Sequence, residues 1–197
     1  MSLHEARALV HALISTLLHF RNLKKVKEVV EKEGDAFVTK QDEDGHTFVH
    51  WAALGGYNEV VNYLLDKGAP LNEHSDNDYG PRPIHWACVH GQITTIDLFV
   101  EKGVPVDTTD LNGCSPLLVA AQYGQSLAIS YLLQKGANKF HVDVNGDSAL
   151  HWACFKGTCN FMLSFSHRGL YPLSWLPFPY PTSLSLPPLL LCPHRTS

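Results

Sequence analysis

Twelve histidines, five cysteines and a serine inside Gly146-Asp147-Ser148-Ala149-Leu150 are the residues of this 197-residue chain with chemistry to offer. Histidine and cysteine side chains are zinc ligands, and zinc needs its ligands at about 2 Å. No C-x-x-C pair occurs, and the five cysteines show no paired spacing. Three of the histidines, His50, His85 and His151, recur with the same neighbours: His50-Trp51-Ala52-Ala53, His85-Trp86-Ala87-Cys88 and His151-Trp152-Ala153-Cys154. Side chains that recur with a structural repeat are separated by whole stacked helices, about 10 Å apart, so these three cannot share one ion. Each is expected to bond backbone at the turn before its helix. Cys88 and Cys154 fill a small-residue column, and Cys114 beside the Gly113-Cys114-Ser115 turn is expected to be an exposed but incidental thiol. No glycine-rich phosphate loop and no paired carboxylates at catalytic spacing are present, so neither a catalytic residue nor a cofactor or metal site is expected.

The elements that must carry these residues are set by the spacing of the boxes. With the degenerate copy Leu118-Val119-Ala120-Ala121, the boxes step by 35, 33 and 33 residues. A glycine follows six residues after each box begins (Gly56, Gly91, Gly124, Gly157), and Lys-Gly pairs end at Gly68, Gly103 and Gly136. Between boxes come Asp44-Gly45, Tyr79-Gly80, Asn112-Gly113 and Asn145-Gly146. A period of this length marks a solenoid. Pro83 and Pro116 stand where a first helical turn tolerates a missing N–H. Gly68, Gly103 and Gly136 suit the left-handed stop of a helix, and the Asp/Asn-Gly pairs suit tight turns.

The unit G-x-T/S-P-L-H-x-A-A, followed by a helix, a Lys-Gly stop and a D-x-N-G turn, resembles the ankyrin repeat over roughly residues 15–157. The resemblance implies an all-α solenoid of helix-turn-helix units that binds proteins. It also gives Ser148 a bland role: Gly146, Ser148 and Leu150 fall in the G-x-T-P-L columns. Although the block is similar to the G-D-S-L block of one esterase class, Ser148 is read as a helix cap. Tryptophan in the x slot of H-x-A, at Trp51, Trp86 and Trp152, resembles the ankyrin domains of the Asp-His-His-Cys S-palmitoyltransferases. In that family a cytosolic ankyrin domain recruits substrate ahead of the transmembrane helices, and Trp86 occupies the place of a tryptophan on the peptide-docking face. Gly55 stands where relatives carry a polar residue, and the catalytic Asp-His-His-Cys sequence is absent. The implied alternative is a truncated cytosolic front of such an enzyme.

Composition agrees with a protein-binding module. Mean hydropathy is -0.08 and net charge -4. All 19 acidic residues precede residue 158, with 13 of the 15 basic ones, so the repeats carry -6 and the last 40 residues +2. A mildly acidic array lacks the basic stripe that nucleic acid demands. No small-molecule substrate is expected, and a membrane only through a longer parent protein. The odd, unpaired cysteines fit a reducing compartment, hence a cytoplasmic location, or the cytosolic face of Golgi or other endomembranes for a palmitoyltransferase.

Three divisions are expected. Residues 1–34 form a diverged helical cap: Leu3, Leu9, Val10, Leu13, Ile14, Leu17 and Leu18 repeat at helical spacing, and a second helix over Lys24–Lys32 ends at Gly34. Residues 35–157 hold the repeats, with glycines at 45, 80, 113 and 146 and the last unit incomplete. The Glu73–Tyr79 linker is two residues longer than its counterparts and places a polar bulge on one finger turn. Residues 158–197 are a non-repeat tail with seven of the 12 prolines. Six of them lie within the uncharged stretch 170–192, forbidding a regular transmembrane helix. The tail reads as a foreign ending from a retained intron or alternative exon, which would leave the fifth unit uncapped.

The expected binding site is a groove of aromatic anchors on the concave side, where interface hot spots are built from such residues. Trp51, Trp86 and Trp152 would line it, with Tyr123 near the gap left by Val119. Turn-tip residues Asp44, His46, Asp78, Tyr79, Arg82, Asn112 and Asn145 would frame it around an extended or looped peptide.

Overall fold

A computed structural model of the chain describes residues 23–157. The expected N-terminal helix over residues 3–20 and the tail from 158 lie outside them. The described residues hold eight α-helices and a 3-10 helix: α1 (Leu23–Glu33), a 3-10 turn (Asp35–Thr39), α2 (Phe48–Gly55), α3 (Asn58–Asp66), α4 (Pro83–Val89), α5 (Ile93–Glu101), α6 (Pro116–Gln122), α7 (Ser126–Gln134) and α8 (Ala149–Phe155). Among them β-structure is confined to two isolated bridges, Gln41 with Thr47 and Val142 with Ser148. The chain is the all-α stack of helix pairs that its period implies.

Each pair begins and ends as its residues dictate. Pro83 and Pro116 open α4 and α6, where the missing N–H costs nothing. Ser148 caps α8 and accepts the N–H of His151. Gly68, Gly103 and Gly136 lie at φ 86°, 93° and 92°, a region that a Cβ disfavours by about 1–2 kcal/mol. The two-helix unit cannot bury its own apolar stripe, so the core runs through the whole array: Val60, Val61 and Leu64 of α3, Ile96 and Phe99 of α5, and Ile129 and Leu132 of α7 are all buried. Small residues at Ala52, Ala53, Ala87, Cys88, Ala120, Ala121 and Ala153, none above 0% exposed, let the first helices approach closely.

The first helices α2, α4, α6 and α8 stack much more tightly on one another than do the second helices α3, α5 and α7. Closer spacing on one layer bends a stack toward that layer, so the first helices form its inner, concave side. Backbone bonds join successive finger turns along the same edge. Leu111 N–H donates to Tyr79 O at 3.0 Å and Val144 N–H to Asn112 O at 3.0 Å. At the earlier junction the two extra linker residues shift the register, and Asp76 N–H donates to Gly45 O at 3.1 Å.

Candidate functional site

The inner face rests on two recurring side chains. In the first, a histidine clips one repeat to the next. His50 Nδ1 accepts the Thr47 N–H at 3.2 Å, which leaves the proton on Nε2, 3.0 Å from the carbonyl of Pro81. His85 does the same with the Arg82 N–H at 3.0 Å and the Cys114 carbonyl at 3.0 Å. His151 Nδ1 accepts the Ser148 N–H at 3.1 Å. The sequence expectation of backbone-bonded histidines holds. Burial holds His50 neutral, with its pKa lowered to about 3, and His85 likewise to about 4. His46 comes within 6.0 Å of His50, ring to ring, but His50 has both nitrogens engaged. Among the described residues no group of three His, Cys, Asp or Glu could hold a metal ion.

The second recurring side chain is the aspartate of the D-x-N-G turn, three residues before three of the four turn glycines, whose bond to an indole the sequence reading did not foresee. Asp42 Oδ1 accepts the N–H groups of Asp44 and His46 at 3.1 and 2.8 Å, and Oδ2 accepts the Trp51 indole N–H at 2.8 Å. Asp143 repeats the pattern with Asn145 and Asp147, and with the Trp152 indole at 3.5 Å. Although burial opposes it, the hydrogen bonds from His46 and Trp51 and the charge of His46 hold the Asp42 carboxyl below its ordinary value. The signal was available: Asp42, Asp110 and Asp143 share one column, nine residues ahead of the box's second position.

The third unit breaks this pattern. Asn77 replaces the aspartate and uses its Oδ1 on the N–H groups of Tyr79 and Gly80. The Trp86 indole turns back onto the preceding unit, 4.6 Å from the His46 ring, 5.1 Å from Trp51 and 5.8 Å from His50. Its Nε1 is buried with no partner among the described residues.

These placements correct the expected groove of three open indoles. Trp86 is 1% exposed and Trp152 9%: Trp86 packs on His46, His50 and Trp51 of the preceding unit, and Trp152 lies against Phe155 with its indole toward Asp143. They form the floor of the inner face and do not reach its surface. Trp51 is half-buried, Tyr79 half-buried, Asp78 exposed and Tyr123 36% exposed. Arg82 is no loose cation at the rim: its guanidinium donates to Thr109 O at 3.2 Å, to Asn72 O and to His74 Nε2 at 2.7 Å, clamping the long linker. Cys114, expected to be exposed, is buried, and its thiol is pushed up to about 12 by burial and by Asp110 and Asp143. Of the expected site residues, Trp51 and Trp86 are brought together, 5.1 Å ring to ring, while Asp78 and Tyr79 lie on the long linker. Trp152 lies two repeats beyond Trp86.

Between the third and fourth units is a shallow recess, open to solvent on one side, with enclosed room for about one water. Pro81 and His85 line one wall; Asp110, Val119, Gln122 and Tyr123 line the other. Asp110 is 6% exposed. Its Oδ1 accepts the N–H groups of Asn112 and Cys114 at 2.9 and 2.8 Å. Among the described residues no hydrogen bond falls on its Oδ2. Burial raises this carboxyl above its ordinary value.

The family model for ankyrin repeats (three copies) matches residues 11–110 and 84–169, and the chain belongs to the ankyrin-repeat family, whose repeats bind protein partners. Over 69 residues it is 32% identical to the 26S proteasome non-ATPase regulatory subunit 10 of Homo sapiens, covering 35% of this chain and 30% of that protein. The rat counterpart matches equally, at 32% identity over 69 residues and 29% of its length. Over 74 residues the chain is 39% identical to the NAD-dependent deacetylase sir2B of Dictyostelium discoideum, covering 38% of this chain but 9% of that protein. The chain thus spans less than a third of each of these curated relatives. Among the described residues no helix is long and apolar enough to cross a membrane.

Proposed function

We propose that this chain is a non-catalytic recruiting module whose inner face captures an extended or looped peptide of a partner protein in the cytoplasm. The observation that carries this is the Trp51–Trp86 pair. A buried indole supports a half-buried one, which Asp42 fixes by its Nε1–H. A rigid aromatic held in one rotamer loses little entropy when a partner lands on it. In this reading the exposed Asp78 and half-buried Tyr79, on the linker two residues longer than its counterparts, and Tyr123 of the fourth unit add further contacts for the peptide. The -6 charge of the repeats favours a neutral or basic peptide. Selection of a displayed peptide library on the intact chain tests this. Trp51→Ala and Asp78→Ala should weaken the selected peptides at least tenfold while circular dichroism stays unchanged. Undiminished binding by a folded Trp51→Ala chain would sink the proposal. Trp86→Ala is the poorer probe, since it opens a cavity in the core.

A second reading makes the repeats the cytosolic, substrate-recruiting front of a membrane S-palmitoyltransferase. It is supported by tryptophan in the same box position at residues 51, 86 and 152. Long-read sequencing of transcripts across the codons for Gly157 and Thr158 decides it. Reads continuing into membrane spans and a cysteine-rich catalytic block support the transferase; reads confined to the proline-rich ending refute it.

A further inference from the structure

Successive finger turns lie on one another, and the contact is alike at each junction. Leu111 N–H donates to Tyr79 O and Val144 N–H to Asn112 O, each at 3.0 Å. The Leu111 side chain crosses the turn glycine before it: a Cβ on Gly80 would stand 2.6 Å from its Cγ. Val144 lies over Gly113 in the same way, its Cγ1 3.8 Å from the corresponding Cβ position. One junction earlier the shifted register puts Asp76 on Gly45. Its N–H donates to the Gly45 carbonyl at 3.1 Å, and its Cβ stands 2.6 Å from where a Gly45 Cβ would be. Asp76, Leu111 and Val144 thus form a row along the finger edge, one side chain per junction. All three are exposed, Leu111 to 59% and Val144 to 70%. The row changes character along its length. The tips of the second and third fingers carry the exposed carboxylates of Glu43, Asp44, Asp76 and Asp78. At the tips of the fourth and fifth, Asp110 and Asp143 are buried, while Leu111 and Val144 face water.

We propose that this row is a docking rail for a polyproline-II segment of a partner protein, carrying a lysine or arginine and, three and six residues away, two apolar side chains. The chemistry follows from the row itself. A carboxylate at one end is complementary to a cation, and two exposed apolar side chains gain by apolar cover. The conformation follows from the spacing. Stacked repeats place successive side chains of the row about 10 Å apart. Polyproline II has three residues per turn and rises about 3.1 Å per residue, so every third side chain faces the same way about 9.3 Å apart. A β-strand repeats its facing at every second residue, about 6.6 Å, which falls between two fingers. An α-helix matches the spacing at every seventh residue, but it is about 10–12 Å across, too broad for a row one side chain wide. The rail uses neither indole of the recruiting face, so it stands or falls apart from that reading.

The test is a displayed library of ten-residue peptides, selected in parallel on the full-length chain and on its Leu111→Ser/Val144→Ser double variant. That variant should fold, because Glu43 and Asp78 already fill the same turn column with polar side chains. Circular dichroism checks this, and Leu111→Asn alone replaces it if it does not fold. Peptides enriched only by the native chain are expected to carry two apolar residues three apart, with Lys or Arg three residues from one of them. Made synthetically, they should bind the double variant at least tenfold more weakly. Asp76→Lys should select Asp or Glu in place of the basic residue. The proposal is overturned if the double variant loses no peptide, if the lost peptides repeat at two or seven residues, or if Asp76→Lys selects the same basic peptides. A dimer in sedimentation that the double variant dissolves would put a second copy on the rail and overturn it too. Trp51→Ala should leave these peptides bound; their loss in that variant would return them to the recruiting face and remove the rail.

Discussion

Lowering the pH from 7 to 5 should remove about 4 kcal/mol of stability from this fold through two residues. His50 and His85 are neutral, fully buried and committed at both nitrogens, with pKa values of about 3 and about 4 against 6.5 in the unfolded chain. A depressed histidine stabilises the fold above its unfolded pKa. That contribution is lost as pH falls from 6.5 toward the folded value, because only the unfolded chain takes up the proton. At pH 5 each is about 1.5 units below its unfolded pKa, and one unit is worth about 1.4 kcal/mol, so each costs about 2 kcal/mol and the pair about 4. That is a large part of the roughly 5–15 kcal/mol that holds an ordinary domain together. Urea titrations at half-unit pH steps should give an unfolding free energy that falls with a limiting slope of about 2.7 kcal/mol per unit, two protons' worth. His85→Asn cannot span both Arg82 N–H and Cys114 O, so it should be less stable at pH 7. Its acid slope should nevertheless halve. An unchanged slope in that variant, or equal stability at pH 7 and 5, refutes the account of the histidine clips.

Three further outcomes follow from the geometry. Gly45→Ala should cost about 3 kcal/mol or more by thermal or urea unfolding, since its Cβ would lie 2.4 Å from the Asp76 backbone N at φ 78°; Gly103→Ala, with open space around it, should cost only about 1–2. Asp42→Ala should lose about 3 kcal/mol because two turn N–H groups and the Trp51 indole lose their acceptor, while Asp44→Ala, at an exposed position two residues away, should change stability by less than about 0.5. In peptide mapping after brief maleimide treatment of the native chain, half-buried Cys154 should label well before Cys114, whose thiol is pushed up to about 12, and before fully buried Cys88; equal labelling of all three would contradict their burial.

The helix pairs were legible because a 33-residue period fixes so much at once. Pro83, Pro116 and Ser148 mark starts, Gly68, Gly103 and Gly136 mark stops, and the structure uses each as its type suggests. Periodicity says which residues are equivalent but not which way a side chain leans across a junction. Trp51 and Trp86 share a column, yet one meets an aspartate and the other finds Asn77 and folds back onto His46. That exchange in the turn leaves the Trp86 indole N–H without a partner among the described residues, where the Trp51 N–H has Asp42. Arg82 was misplaced for a related reason: the two extra linker residues bring His74 and the Asn72 carbonyl beside its guanidinium, and an insertion has no counterpart from which to read its course. Cys114 sits beside a turn glycine in sequence, but the finger it belongs to lies against Gln122 and the fourth unit's first helix.

The histidine clips also divide the array. His50 ties the second unit to the third and His85 the third to the fourth, but the same column in the fourth unit is Leu118, which has no ring nitrogen to offer the fifth. Solenoids open one repeat at a time, each held by the coupling to its neighbour. The Leu118 junction is held instead from the turn side, by His141 Nε2 on the Gly113 carbonyl at 2.7 Å and by Val144 N–H on the Asn112 carbonyl at 3.0 Å. At its last described junction the array thus changes its fastening, from a histidine on a first helix to one on the linker ahead of the turn.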